Sequence, residues 1–372
     1  MNRVVITGYG VVTPYGVGFE EMANGINNNI NCFVDQEVYI HKNSKPVILP
    51  TGRVPISLED YSDIPDNISR LMTPMTLFAY LAYKEAKDKA LLSDIDAAKA
   101  GIFLASTLPH INTKERQLAT DIFKTFTNTP AFVLAEMIGT TGRVIAPCSA
   151  CSTGLQAINL ATEAIQSGKL DIAICGATEE WSENLARIFI KLGIASKTGC
   201  RPFADDRDGI VVAEGAGILI LESEEHAKNR LANYTRIIAG TGYSFSNNPS
   251  IATEESIFKS MIDAYSHFHL HKNLGYQNEI VACVHATGTP MGDAAELNAL
   301  NKFKDLVYLN DYTRVNTVYY KHHLGHTMAA SGVIELIASL HRTVPVLNNA
   351  FGLGGVNCST LVVPKAYLCP IM

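Results

Sequence analysis

The chain has 372 residues, with 47% hydrophobic and 18% charged side chains. That composition excludes a disordered or coiled-coil protein, and a chain this long can bury roughly three quarters of its unfolded surface. Thirty basic and 36 acidic side chains leave a formal charge of −6 with no basic block, so nothing points to nucleic acid.

Eight cysteines, at 32, 148, 151, 175, 200, 283, 358 and 369, form no disulfide framework. The opening MNRVVITGYG reads as strand and turn, not as a signal peptide. No apolar run reaches the ~20 residues of a membrane span. The expectation is a reduced, cytoplasmic enzyme.

In chain order, short continuous apolar runs stand at Val4 to Ile6, Ile102 to Ala105, Val144 to Ala146, Ile172 to Cys175, Ile218 to Leu221, Ile280 to Val284 and Leu361 to Val363. Such runs suit strands buried on both faces of an α/β fold. Between them, Thr73-Pro74 reads as an N-cap with proline at the first helical position, opening a helix to about Lys89. Further helical patterns cover roughly 152–167, 254–268, 291–303 and 328–341. Two of these, STGLQAINLATEAI and TMAASGVIELIASL, are rich in small residues and follow Cys151 and His326. Helices of that kind pack between layers. The pattern predicts a duplicated α/β architecture with these two helices central and the halves changing near Ser223 to Tyr234.

Cys151 stands in Ala150-Cys151-Ser152-Thr153-Gly154 at a helix start, where the dipole favours thiolate and hence a nucleophile. A structural cysteine, or a redox or zinc role for the Cys148/Cys151 pair, are the competing readings. His285 ends an apolar strand and enters the turn Ala286-Thr287-Gly288-Thr289-Pro290, where open α/β sheets bind ligands. His326 closes the cluster Lys321-His322-His323-Leu324-Gly325-His326. No acidic residue interrupts that cluster to complete a metal site. Phe351-Gly352-Leu353-Gly354-Gly355-Val356-Asn357 can bring backbone N–H groups close to a ligand, as a phosphate cradle or an oxyanion hole. Neither it nor Gly8-Tyr9-Gly10 opens a dinucleotide-binding helix.

Taken together, RVVITGYGVVTPYG, ACSTG, RPFADDRDGIVVAEGAGILILE, HATGTPMGD, KHHLGH and FGLGGVN resemble, in order and over essentially the whole chain, the elongating β-ketoacyl-acyl-carrier-protein synthases. The resemblance implies a thiolase fold: two duplicated halves in five layers, α-β-α-β-α, with residues 1–225 carrying the nucleophile and 226–372 the two histidines. It implies that Cys151 accepts the acyl group. His285 and His326 serve decarboxylation, with Lys321, Asp293 and Glu296 as supporting charges. Thr287 and Thr289 contact the phosphopantetheine arm, and Phe351 and Leu353 the substrate. The N–H groups of Cys151 and Leu353 form the oxyanion hole. Lys321 keeps His326 neutral by repulsion, or orients it through a carboxylate such as Glu296.

The resemblance also implies acyl carrier protein as partner, docking at Arg70 and Arg207, each of which could equally be a structural arginine. It implies a homodimer or a heterodimer with a related subunit, and neither metal nor other cofactor. Departures from the family pattern stand at Ala286, Ala204, Cys148, the His-His-Leu-Gly stretch and Leu353, the usual aromatic gate. The segments Phe132 to Val144 and Gly242 to Glu255 read as trimmed. These departures suggest specialised polyketide or polyene synthesis. The alternatives are a non-catalytic chain-length subunit and a thiolase-like enzyme with Cys358 as second cysteine.

Overall fold

A computed structural model of the protein describes residues 1–41, 44–61, 64–108, 110, 119–248, 250–266, 268 and 279–367. Its core is one pattern used twice. The first half holds β1 (Val4–Thr13), α1 (Pro74–Ala90), β2 (Gly101–Ala105), α2 (Thr129–Ile138), β3 (Val144–Ile145), α3 (Thr153–Gln166), β4 (Ile172–Glu179) and β5 (Gly215–Ser223). The second holds β6 (Arg236–Phe245), α4 (Glu254–Ser266), β7 (Glu279–Cys283), α5 (Pro290–Asp311), β8 (Arg314–Val318), α6 (Ser331–Ser339), β9 (Val346–Phe351) and β10 (Val356–Pro364).

In space the first half runs β1-β5-β4-β2-β3 and the second β6-β10-β9-β7-β8. In each, the first two pairings are antiparallel and the last two parallel. A short antiparallel pairing, Val4 with Ile238 to Ile6 with Arg236, joins the halves, so hydrogen bonding is continuous between them.

The side chains sort these elements into layers. Residues of α3 (Leu155, Ile158, Ile165) and α6 (Val333, Ile334, Ile337) form one core with Phe103 and Leu219 from the first half and Val346 and Val362 from the second. Helices α1 and α2 cover the outer face of the first half through Leu77, Leu81 and Leu134 against Ile102, Ile174 and Ile218. Helices α4 and α5 cover the second through Ile257, Met261 and Phe303 against Ile280, Leu347 and Leu361. The expected α-β-α-β-α stack is therefore present. The continuous apolar runs follow from it, since Ile102 and Phe103 face different cores.

The α1 prediction holds at its start: the Thr73 side chain accepts from the Thr76 N–H at 3.3 Å. Helix α5 runs further than expected, to Asp311, because Phe303 and Val307 continue its buried face. Among the described residues no helix is long and apolar enough to cross a membrane.

The glycines near the start explain themselves by packing. A Cβ on Gly8 or Gly10 would collide with the carbonyl oxygens of Ala86 and Ala82 in α1. In the second half a Cβ on Gly240 or Gly242 would collide with those of Ala264 and Ser260 in α4. The same Gly-x-Gly thus seats the first helix of both halves on its strand. Gly8→Ala and Gly240→Ala should each lower unfolding free energy by about 3 kcal/mol in urea denaturation. An unchanged midpoint for either would contradict this account of the close approach.

Candidate active site

Cys151 lies in a tight turn, Ala150–Ser152, that leads straight into α3. Ala150 is held at φ 52°, in the left-handed region, which turns the chain sharply before the helix. The equivalent turn of the second half is Met328–Ala330, with Met328 at φ 48°, leading into α6. Cys151 therefore corresponds to Ala329. His326, which the sequence reading set opposite Cys151 by symmetry, stands three residues earlier, with its N–H donated to Val211 and its carbonyl accepting from Ala213.

His326 Nε2 is 3.1 Å from Cys151 Sγ. The ring of His285 lies edge-on to that of His326, centroids 5.2 Å apart, and edge-on to Phe351 at 5.5 Å. Ligand atoms of Cys151, His285 and His326 all lie within 4.8 Å of one another, and all three residues are buried. His285 is two residues beyond the end of β7.

Burial dominates the electrostatics. It pushes the Cys151 thiol up to about 11, against the pull of Lys321 and of the N–H groups of Leu353 and Cys151. The expectation of a resting thiolate is corrected: desolvation outweighs the helix dipole here. Burial, then Lys321, holds both His285 and His326 well below the ordinary histidine value, so both are neutral near pH 7.

Lys321 itself is fully buried, and its ammonium donates to both oxygens of Glu335 at 2.8 and 2.9 Å. Burial raises the Glu335 carboxyl, and Lys321 draws it back. The ammonium also lies 3.4 Å from His285 Nδ1. An ammonium only donates, so Nδ1 must accept and the His285 proton sits on Nε2. The ammonium also opposes a second positive charge at this site, a metal ion included.

One sequence expectation changes: the carboxylate beside Lys321 is Glu335, not Glu296. Repulsion of His326 by Lys321 agrees with the expectation, and Lys321 lies in addition against His285. Glu296 instead accepts the N–H groups of His285 (2.6 Å) and Ala286 (2.7 Å), fixing the turn that carries the imidazole. Its carboxyl is pushed up to about 7, burial outweighing those two bonds. Glu335 escaped the sequence reading, though a lone carboxylate in the small and apolar SGVIELIAS was its signal.

The surrounding residues fall into place around this centre. Asp293 accepts from the Gly288 N–H (3.0 Å) and the Phe203 N–H (2.8 Å). The hydroxyls of Thr287 and Thr289 are 3.0 Å apart. Leu353 is 41% exposed, in a loop whose Gly354 and Gly355 take φ 95° and 92°. A hydrogen bond from Gly352 N–H to Val356 O at 2.9 Å closes that loop.

Arg207 is engaged as a structural arginine. It pairs with buried Asp293 at 3.4 Å and donates to the carbonyls of Ala204 and Pro290. Arg70 is exposed. Cys148 is exposed and unbonded, so no disulfide ties it to Cys151. Cys358 is buried in the central core and, unlike Cys151, is not grouped with His285 and His326, which does not suit a second nucleophile.

Residues 1–227 match the family described as "Beta-ketoacyl synthase, N-terminal domain", and residues 238–345 match its "C-terminal domain". The chain belongs to the beta-ketoacyl synthase family, which consists of acyltransferases. It is 30% identical to "3-oxoacyl-[acyl-carrier-protein] synthase 2" of Staphylococcus aureus over 91% of this chain and 84% of that protein. A beta-ketoacyl synthase crystal structure from Burkholderia phymatum superposes with a TM-score of 0.85, at 24% identity, over 98% of this chain and all of that one. A type II PKS ketosynthase, solved with its acyl-carrier protein, superposes with a TM-score of 0.79, at 24% identity, covering 97% and 99% of the two chains.

The resting state of the thiol can be read directly. Alkylation of Cys151 by iodoacetamide should climb with pH without a plateau up to about pH 10, because the thiolate fraction keeps rising toward a pKa of about 11. A plateau below pH 8 would show a thiolate at rest.

Proposed function

We propose that the protein is a 3-oxoacyl-carrier-protein synthase. The observation that carries this reading is a thiol 3.1 Å from one neutral imidazole with a second edge-on to the first. Cys151 Sγ attacks the thioester of an acyl-carrier protein. His326 Nε2 takes the thiol proton and returns it to the leaving phosphopantetheine sulfur. Once Sγ is acylated it holds no proton, and the single proton of neutral His326 shifts from Nδ1, where no partner holds it, to Nε2, which then donates.

Malonyl-carrier protein follows, its arm passing Thr287 and Thr289. His285 Nε2–H and His326 Nε2–H donate to the malonyl thioester oxygen. The bond to the carboxylate breaks, CO2 leaves, and its electron pair becomes an enolate held by those two donors. The enolate carbon attacks the acyl carbonyl on Cys151, whose oxygen is held by the N–H groups of Cys151 and Leu353. The C–S bond then breaks, Sγ takes up a proton from solvent by way of His326, and a 3-oxoacyl-carrier protein leaves. Only neutral imidazoles can both donate here without losing a charge contest to Lys321, and burial supplies that neutrality.

In this reading residues 1–225 supply the nucleophile and 226–372 the histidines, and no metal or other cofactor takes part. Exposed Arg70 remains the arginine to test for carrier docking. Exposed Phe123, Phe126 and Phe132 near the edge strand β3, itself exposing Val144, support pairing with a second chain, identical or related. The absence of a long apolar helix among the described residues agrees with a cytoplasmic enzyme. Leu353 in place of an aromatic gate supports a specialised polyketide or polyene role. A non-catalytic chain-length subunit would leave Cys151, His285 and His326 without employment.

Incubation with a panel of saturated and unsaturated acyl-carrier proteins, read by intact mass, should give an acyl adduct on the wild type and none on Cys151→Ala. His285→Ala should keep the adduct and lose malonyl decarboxylation by about 10²-fold, the scale of one lost transition-state donor. No adduct with any carrier, alone or beside a partner subunit, would overturn the reading. A clear preference for ordinary saturated chains would remove the specialised role.

A further inference from the structure

The first half has its own buried carboxyl beside the acyl site, and the reaction above gives it no role. Glu179, the last residue of β4, is fully buried. It accepts from the Thr107 N–H at 3.0 Å, from the Thr107 hydroxyl, from the Leu108 N–H at 3.3 Å, and from the Ala329 N–H. Those donors belong to two separate pieces of chain. One is the segment that follows β2. The other is the turn between His326 and α6.

Each piece brings an apolar side chain to the surroundings of Cys151. Leu108 comes from the first and Met328 from the second, and both pack in one group with Cys151, Leu185 and Phe189. The next residue, Glu180, holds the same segment further along, through His110 Nδ1 at 2.5 Å.

The second half uses the same device at the equivalent place. Two residues past the end of β7, Glu296 takes the N–H groups of His285 and Ala286 and so aims an imidazole. Two residues past the end of β2, Glu179 takes those of Thr107 and Leu108. What it aims is an apolar wall.

We propose that Glu179 is a positioning residue whose carboxylate ties the Thr107–Leu108 backbone to the Ala329 turn and so sets the spacing of Leu108 and Met328, the walls along which an acyl chain on Cys151 lies. It touches no reacting atom. The proposal rests on the reading of Cys151 as acyl acceptor. A short acyl group stays near the sulfur and is indifferent to those walls, whereas a long one must pack along them.

The test compares Cys151 acylation rates, by intact mass, with acetyl- and decanoyl-phosphopantetheine donors. Glu179→Gln keeps the size but turns an –NH2 toward N–H donors. Its decanoyl rate should fall about tenfold relative to its acetyl rate, the scale of one lost hydrogen bond. Thr107→Val removes only the hydroxyl donor and guards against misfolding of the first variant. It should shift the same ratio in the same direction, by less. An unchanged decanoyl-to-acetyl ratio in either soluble variant, whether both rates fall together or neither does, would overturn the proposal while leaving Cys151 as acceptor intact. A wild type that takes neither acyl group would overturn the acceptor reading, and this proposal with it.

Discussion

The site depends on one buried ammonium. Lys321 has no exposed surface, and its charge is tolerated because Glu335 accepts it through both carboxylate oxygens. Removing one partner of such a pair costs about 3–5 kcal/mol, since the other is left charged and dry. From that fixed charge the rest follows. It occupies His285 Nδ1 and leaves Nε2 as the donor. It adds to burial in keeping both imidazoles neutral. It pulls the Cys151 thiol back toward ionisation, against a desolvation that still wins.

The duplicated fold is what brings these groups together. Helices α3 and α6 meet in the central layer, where a Cβ on Gly154 would stand 2.8 Å from the Ala329 carbonyl oxygen. The turns before them point at one another, so Cys151 from one half reaches His326 from the other. The halves are equal in topology and unequal in chemistry. The first spends its turn on a nucleophile, the second spends the same position on Ala329 and uses the residues before it. Buried carboxylates that accept backbone N–H groups, Glu296 and Glu179, hold the post-strand segments on both sides.

Much of this was legible in the residues. Continuous apolar runs marked strands buried on both faces, and Thr73-Pro74 marked the start of α1 within a residue. The small-residue helices announced the central layer. Symmetry of the halves suggested His326 beside Cys151, but His285 could be joined to them only through the whole-chain resemblance, because 134 residues of sequence separate it from the sulfur (285 − 151 = 134). What was not legible is instructive. Strands β6, β8 and β9 are interrupted by polar residues, and Asn348 and Asn349 in β9 look like a turn until their buried partners Gly332 and Cys283 are seen. The helix-terminus argument predicted a thiolate because local sequence carries the dipole but not the burial that opposes it. The partner of Lys321 was misplaced although Glu335 is the nearer in sequence, 14 residues away against 25 for Glu296 (321 − 296 = 25), because Glu335 is buried in α6 among small and apolar residues. The repeated Gly-x-Gly of Gly8-Tyr9-Gly10 and Gly240-Thr241-Gly242 was visible and went unused, since its meaning is steric and appears only when the helices are in place.

The central claim is that burial, reinforced by the Lys321 ammonium, keeps two imidazoles neutral beside the thiol. Nitrogen-15 NMR of imidazole-labelled protein tests it most directly, with wild type and Lys321→Met titrated side by side. The account predicts that His285 and His326 stay neutral through pH 6 in the wild type, and that both titrate at higher pH once the charge is removed. Titration of either ring near 6.5 in the wild type, or no upward movement in the variant, would contradict it.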